Sequence, residues 1–420
     1  INILTTASLL AVVIIGTVVY RHRIWISPEL SLFLFWIAFS LISTLPAYHV
    51  EAALWKTFTL VQIALMVFAV QQTLIWSKRS KVFMQVFALA IVASYLLSYS
   101  EFTASERAGM EDITGQGTDI VRIASTLADA NMFGVTACLA LSLVLMASTK
   151  LTNKMEAIGH GLLVVLLIVG IFHSGSRTAL VGIAVILLGA FYTFQLYRPS
   201  KLLGLGTVGV VVAGLAGLTV LFASQLDTFQ NKFEALFIDN SNVISRFEEF
   251  VLVLRGGSAL DSSDGSISAR SKLMMDGLSI VKDNPLFGVG LDNFRYVSGA
   301  DTYAHSTPIE LLVSTGVVGA ALYYMIYAVL LYRLLKLSKY RSARKLLLCG
   351  LFGLLAYMLM DITHVSFSEK TSWIYLAMLS ATAENERRSL YQRKKRDKKR
   401  HRKRSESRSF EPLTNQIRIK

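Results

Sequence analysis

Cysteine and proline are scarce, at two and six in 420 residues, so a disulfide framework and a proline-rich extended architecture are both excluded. Charge is scarce too. Asp, Glu, Lys and Arg make up 17% of the chain against 53% hydrophobic residues, and the mean hydropathy is +0.51. Soluble domains carry about 25% charged residues, so a water-soluble globular fold is excluded as well. No internal repeat, heptad array, zinc-type Cys/His spacing or Walker loop occurs. Gly288-x-Gly290 alone is too short a signal for a nucleotide. Cys138 and Cys349 fall in apolar runs and are expected as small buried hydrophobes.

What charge there is gathers at one end. The net charge is +14, and from Glu384 onward 15 Lys/Arg face 5 Asp/Glu, so the body of the chain is nearly neutral. Arg393 to Arg404, RKKRDKKRHRKR, reads as a disordered cytoplasmic tail over 384–420, attracted to anionic membrane lipids. The run lacks interleaved aromatics, so nucleic acid is not expected as a partner.

Crossing a bilayer takes roughly 20 apolar residues. Runs of that order lie near Ile3–Tyr20, Leu30–Pro46, Ala52–Trp76, Val82–Ser100, Leu127–Ser148, Ala157–His173, Thr178–Tyr197, Leu202–Ser224, Pro308–Tyr332, Leu346–Phe367 and, more weakly, Thr371–Ala383. The fold class expected is an all-α polytopic membrane protein with about 11 transmembrane helices over residues 1–383. Alternate connections hold 30 of the 42 Lys/Arg, which puts those connections and the C-terminus in the cytoplasm. Ile1 then lies outside, and a further N-terminal helix, twelve in the parent protein, or a cleaved signal peptide would explain the non-Met start.

Two long segments are left on the extracytoplasmic face. Glu101 to Thr126 is polar, and the loop over 225–307, between the eighth and ninth helices, is far longer than a connector needs to be. Within it, Ser268 to Asp283 has helical spacing of Leu273, Met274, Leu278, Ile280 and Val281 and is expected on the membrane surface. Pro285 ends that helix, and NPLFGVGLDNF (284–294) reads as a glycine-containing turn that re-enters toward the bilayer.

Ionisable residues near membrane depth are expensive and call for a function. Arg177, in HSGSRTALVG, stands between two spans at the outer face, and Arg270 lies on the surface helix. His305, in AHSTPIELLVSTGVVGA, stands at a helix entry with Pro308 in the first turn. Asp361 and His364 are three apart, which places them on one helical face. Two arginines suit a diphosphate, and a histidine can take the proton of a hydroxyl nucleophile while a carboxylate orients it. Together they describe glycosyl transfer from a lipid diphosphate to an acceptor hydroxyl, without a cofactor. Each residue also has a plainer reading: a snorkelling arginine, a solvated arginine, a hydrogen-bonded helix-entry histidine, a structural Asp/His pair. Arg122, with Asp129 and Asn131, fits substrate contact or a loop-fixing salt bridge, with Asp129 as an N-cap.

HSTPIELLVSTGVVGA resembles the signature of the O-antigen ligase and O-antigen polymerase superfamily: His305, the small polar Ser306, then Gly316-x-x-Gly319. The segments TLADANMFG, HSGSRTALVG and Arg270 through NPLFGVGLDNF follow that superfamily's order, over roughly Arg122 to Gly319. Ala320 stands where ligases usually carry Thr or Ser. The resemblance implies a GT-C-like glycosyltransferase of the bacterial inner membrane, acting on undecaprenyl diphosphate-linked glycan at the outer face. It also implies diphosphate-binding arginines at Arg177 and Arg270, with Arg122 as a further candidate, catalytic His305, and an acidic partner at Asp361. Inversion at the sugar and no metal or cofactor are further implications. Gly316 and Gly319 are expected to allow close approach of a helix or a lipid chain. The function expected is polymerisation of surface-polysaccharide repeat units, with an acceptor glycan or lipid as partner, and ligation of the glycan to a lipid or protein acceptor is the alternative. Transport of lipid-linked glycan is a third reading, which broken helices or internal pseudo-symmetry would favour. Neither is apparent in the sequence.

Overall fold

Apart from Leu202–Ser224, the apolar runs become helices with recognisable starts and stops in a computed structural model that describes residues 2–102, 129–174, 176–195, 265–300 and 302–415. In chain order these are α1 (Asn2–Val18), α2 (Pro28–Ile42), α3 (Val50–Ser77), α4 (Ser80–Phe102), α5 (Ala130–Ser148), α6 (Lys154–His173) and α7 (Arg177–Gln195). They continue with α8 (Gly265–Asp283), α9 (Phe294–Ser298), α10 (Thr307–Ser338), α11 (Arg341–Met360) and α12 (Lys370–Asn415). Among the described residues there is no strand. The starts follow capping chemistry. Ser27 Oγ accepts from Leu30 N at 3.0 Å ahead of Pro28, and Asn153 Oδ1 accepts from Glu156 N at 2.8 Å.

Among the described residues six helices are long and apolar enough to cross a membrane: Val50–Ser77, Ser80–Ser98, Ala130–Ser148, Lys154–His173, Thr307–Ser338 and Arg341–Met360. Pro28–Ile42 and Thr178–Phe194 are apolar but shorter. The run Leu202–Ser224, the outer segment 103–128 and most of the long loop lie outside the described residues. α5 is 83% buried, hydrophobic on every side, and forms the axis of the bundle. α4 and α6, only 22% and 28% buried, turn apolar side chains such as Leu89, Leu97 and Leu162 outward, as a lipid-facing surface requires. Cys138 and Cys349 are buried free thiols.

Alternating helices sort the connections into two ends. One end holds 43–49, 174 and 176, 284–300 with 302–306, and 361–369; the other holds 19–27, 78–79, 149–153 and 339–340. Hydrogen bonds cross within each set. At the first end Asn293 Oδ1 accepts from His49 N at 2.6 Å, and Thr178 Oγ1 meets Thr363 Oγ1 at 2.6 Å. At the second, Arg333 Nη1 reaches both carboxylate oxygens of Glu29, and Lys150 Nζ reaches Glu386.

Two expectations change. The segment from Glu384, expected as a disordered tail, continues α12 as helix to Asn415. Its start is pinned by Arg387 and Arg388 pairing with Glu384 at helical spacing, and by Asn385 Nδ2 donating to Leu74 O at 3.1 Å. The span expected over Pro308–Tyr332, with no break apparent in the sequence, lies in a helix that is broken. Gly316 has φ 65° and ψ −173° in its middle.

Candidate functional site

The break in α10 is filled by the turn after α8. Val313 and Ser314 lose their intrahelical partners at the break, and their carbonyls accept instead from Val289 N at 2.8 Å and Gly290 N at 3.0 Å. Val317 N, also orphaned, donates to Pro285 O at 2.8 Å. These three bonds satisfy backbone groups that the kink opens. Gly316 must be glycine twice over: its conformation belongs to a region only glycine populates, and a Cβ would collide with the Leu286 carbonyl and lie 2.6 Å from Phe287 N. A Cβ on Gly288 (φ 69°) would collide in turn with the Val313 carbonyl. Gly319 is packed under Phe39 and the Thr315 side chain. Close approach was expected at Gly316 and Gly319; at Gly316 the occupant is the chain's own loop.

That loop brings α8 against α10. Ile280, Val289, Phe294, Ala304, Ile309 and Val313 form a small core of their own, and a Cβ on Gly277 would lie 3.5 Å from the Phe294 ring. α8 carries Arg270, whose backbone is helical. The helix expected over Ser268 to Asp283 is therefore present, and it ends before Pro285.

His305 precedes α10 by two residues with φ 52°, its ring against Tyr303 at 4.3 Å between centroids. A buried carboxylate holds this turn. Glu310 Oε2 accepts from Ala304 N at 2.9 Å, and Glu310 Oε1 lies 3.5 Å from Ser314 Oγ. Glu310 was not singled out from sequence. An acidic residue in the apolar run PIELLVSTG, in the first turn of a membrane helix, is the signal that would have found it.

Asp361 joins the same junction from α11. The helix ends at Met360, so Asp361 and His364 lie in the turn beyond the span and not on one helical face. Thr307 N donates to Asp361 O at 3.2 Å, and Thr307 Oγ1 donates to Asp361 Oδ1 at 2.8 Å. Thr307 Oγ1 also lies 2.6 Å from His364 O and accepts from Ser366 N at 3.0 Å. Ser366 Oγ donates to Asp361 Oδ1, while Asp361 Oδ2 has no hydrogen-bond partner among the described residues. Burial pushes the Asp361 carboxyl up to about 7, against the hydrogen bonds from Ser366 and Thr307. His364 Nε2 meets Glu369 Oε1 at 2.6 Å, so its carboxylate partner is Glu369.

Arg177 opens α7 at this end. Its neighbour Thr178 bonds Thr363, two residues from Asp361. The structure therefore gathers the backbone of Arg177, the 361–364 turn and the His305 turn at one end of the bundle, with His305 and Asp361 linked through Thr307. Asp129 caps α5, accepting from Asn131 N at 2.5 Å, as one expectation had it. Arg122 lies outside the described residues. Among the described residues no cluster of His, Cys, Asp and Glu could hold a metal ion.

Residues 162–324 match the family model described as O-antigen ligase. The match runs from α6 past the break in α10 and takes in Arg177, Arg270, His305, Gly316 and Gly319; Arg122 and Asp361 fall outside it. No curated protein matches the chain.

Proposed function

We propose, from the match of residues 162–324 to the O-antigen ligase family model and from the apolar spans, that this membrane protein transfers glycan from an undecaprenyl diphosphate-linked donor to an acceptor hydroxyl. The observation that carries the reading is the junction at Thr307, which ties the His305 turn to the Asp361 turn beside the start of α7. In this reading His305 takes the proton of the acceptor hydroxyl as its oxygen attacks the anomeric carbon. The bond from that carbon to the diphosphate breaks, and the lipid diphosphate leaves with the electron pair and inversion at the sugar. A diphosphate leaving group needs its growing negative charge stabilised, and Arg177 and Arg270, with Arg122 as a further candidate, are of the residue type that does this bidentately. Asp361 holds the entry of α10 in place, so its contribution is to fix His305.

The active end is the extracytoplasmic one, and the basic end faces the cytoplasm of a bacterial inner membrane. The acceptor is a further repeat unit, making the enzyme a polysaccharide polymerase; Ala320 in place of a hydroxyl residue favours this over ligation to a lipid. Transport is the reading that the broken α10 would favour. Yet the chain's own backbone occupies the break, taking up the Val313 and Ser314 carbonyls and the Val317 amide.

Reconstitution with a lipid diphosphate-linked oligosaccharide tests the proposal. Wild type should release lipid diphosphate and lengthen glycan, and His305→Ala and Arg177→Ala should each lower the rate at least 100-fold, the lower range for a general base or a charge-stabilising group. Full transfer by both variants would remove these residues from the mechanism. Glycan crossing the bilayer without release of lipid diphosphate would replace the enzyme with a transporter.

A further inference from the structure

At the opposite end of the bundle, a cavity of about 140 Å³ opens where α3 ends and α4 begins, walled on its other sides by α5, α11 and α12. Three lysines line it, Lys78, Lys81 and Lys150, against a single carboxylate, Glu386. Lys150 Nζ is paired with Glu386 at 2.5 Å, and Lys81 pairs with Glu156 and donates to the Lys150 carbonyl at 2.7 Å. Lys78, in a left-handed conformation at the end of α3, has no salt-bridge partner among the described residues. The facing wall is apolar, made by Met84, Met146 and Leu346.

Thr382 on α12 also lines the cavity. It is 2% exposed, and its hydroxyl has no hydrogen-bond partner among the described residues. Several helical threonines turn back onto the carbonyl four residues earlier, Thr57 on Ala53 at 2.8 Å, Thr73 on Ala69 at 2.9 Å and Thr315 on Leu311 at 2.8 Å, whereas Thr193, like Thr382, is buried without a partner among the described residues. Thr382 forgoes that bond beside a cationic cavity. A buried hydroxyl without a partner is unfavourable, so the cavity is built for an occupant that accepts a hydrogen bond and carries negative charge.

We propose that this cavity binds a phosphate group, supplied by the headgroup of an anionic membrane lipid or by free phosphate. Lys78 and the Thr382 hydroxyl are donors to its oxygens, and the Lys81 and Lys150 ammonium groups supply the surrounding field. The apolar wall gives a lipid an advantage, since glycerol and the first methylenes have a surface to lie on. Water would fit by size and would satisfy Thr382, but it would leave the excess of positive charge unmatched. The inference rests on the bundle being membrane-embedded and not on the transferase reading.

The test is thermal unfolding of the full-length protein in neutral detergent micelles, titrated with phosphatidylglycerol, phosphatidylcholine or sodium phosphate at matched ionic strength. Wild type is compared with Thr382→Val and with the double variant Lys78→Gln/Thr382→Val. The basic end of α12 is the same in all three, so its general attraction for anions cancels. Without ligand, Thr382→Val should melt at or above the wild-type temperature, which shows that folding is intact. Phosphatidylglycerol should raise the wild-type melting temperature, with half-saturation about tenfold higher in the double variant, a change of about 1.4 kcal/mol. If sodium phosphate gives the same variant-dependent shift and the lipid adds nothing, the site stands and its ligand is the free anion. Equal responses of wild type and double variant to both ligands would overturn the proposal. Transfer of glycan by the double variant in lipid-free micelles should equal wild type. A loss of transfer in wild type with the lipid shift intact would count against the transferase reading alone.

Discussion

At Gly316 a backbone of φ 65° and ψ −173° meets a carbonyl that leaves no room for a Cβ. Gly316→Ala should therefore cost about 1–3 kcal/mol in backbone strain alone, with the collision on Leu286 added, and should lower both the melting temperature in detergent and the transfer rate. Gly319→Ala meets only side chains and should be milder in both. Asp361 gives a pH prediction. Its folded-state pKa of about 7 lies above the ordinary carboxyl value of 3.8, so between those values the folded state holds a proton that the unfolded state gives up. That contribution is fully present below about 4 and is lost as pH rises through 7. Asn reproduces the protonated form and can still accept from Thr307 and Ser366. The melting temperature of Asp361→Asn should thus gain on wild type from pH 5 to pH 8, and parallel curves would refute the shift. His305, Gly316 and Gly319 were legible in sequence because their spacing is local. Thr307 as the partner of Asp361 was not, because the two are 54 residues apart and only the fold brings them together.

The six long apolar helices among the described residues were legible as elements, since each is a local apolar run, and so was the helix ending before Pro285. The break in α10 was not. GVVG at 316–319 reads equally as a packing surface, and only the bonds from Val289 and Gly290 turn it into a docking point for a loop. Asp361 and His364 were misread for a related reason: spacing of three implies a shared face only while the helix continues, and α11 stops at Met360. Element packing at the basic end is held by a buried ion pair. Arg333, on α10, reaches Glu29 at the start of α2 at 2.5 Å, and Glu29 also accepts from Ser380 of α12 at 2.9 Å. Arg333→Leu leaves that carboxylate buried without its cation and should cost about 3–5 kcal/mol. Glu29→Leu/Arg333→Leu removes both charges and should recover a large part of the loss. A double variant no more stable than Arg333→Leu would show that the pair adds no more than packing.

Over the whole molecule the helices separate two chemistries. The end holding the His305 and Asp361 turns is tied mainly by neutral hydroxyl and amide bonds together with buried carboxylates, with Arg295–Asp292 and His364–Glu369 as local pairs, whereas at the other end lysine and arginine pairs join separate helices. Charge asymmetry of this kind sets orientation during insertion, with the basic end retained in the cytoplasm. Cysteine labelling reads the result directly, because both native cysteines are buried, at 0% and 4% exposure, and should stay silent. Lys282 at the end of α8 and Lys395 on α12 are both exposed, so Lys282→Cys and Lys395→Cys report one end each. In intact cells a membrane-impermeant maleimide should label Lys282→Cys and spare Lys395→Cys, and permeabilisation should bring the second up to the level of the first. Labelling in the reverse order would put the His305 turn in the cytoplasm, away from the face where lipid-linked glycan is expected to be joined, and the proposed reaction would have to be abandoned even though every distance at the site stayed the same.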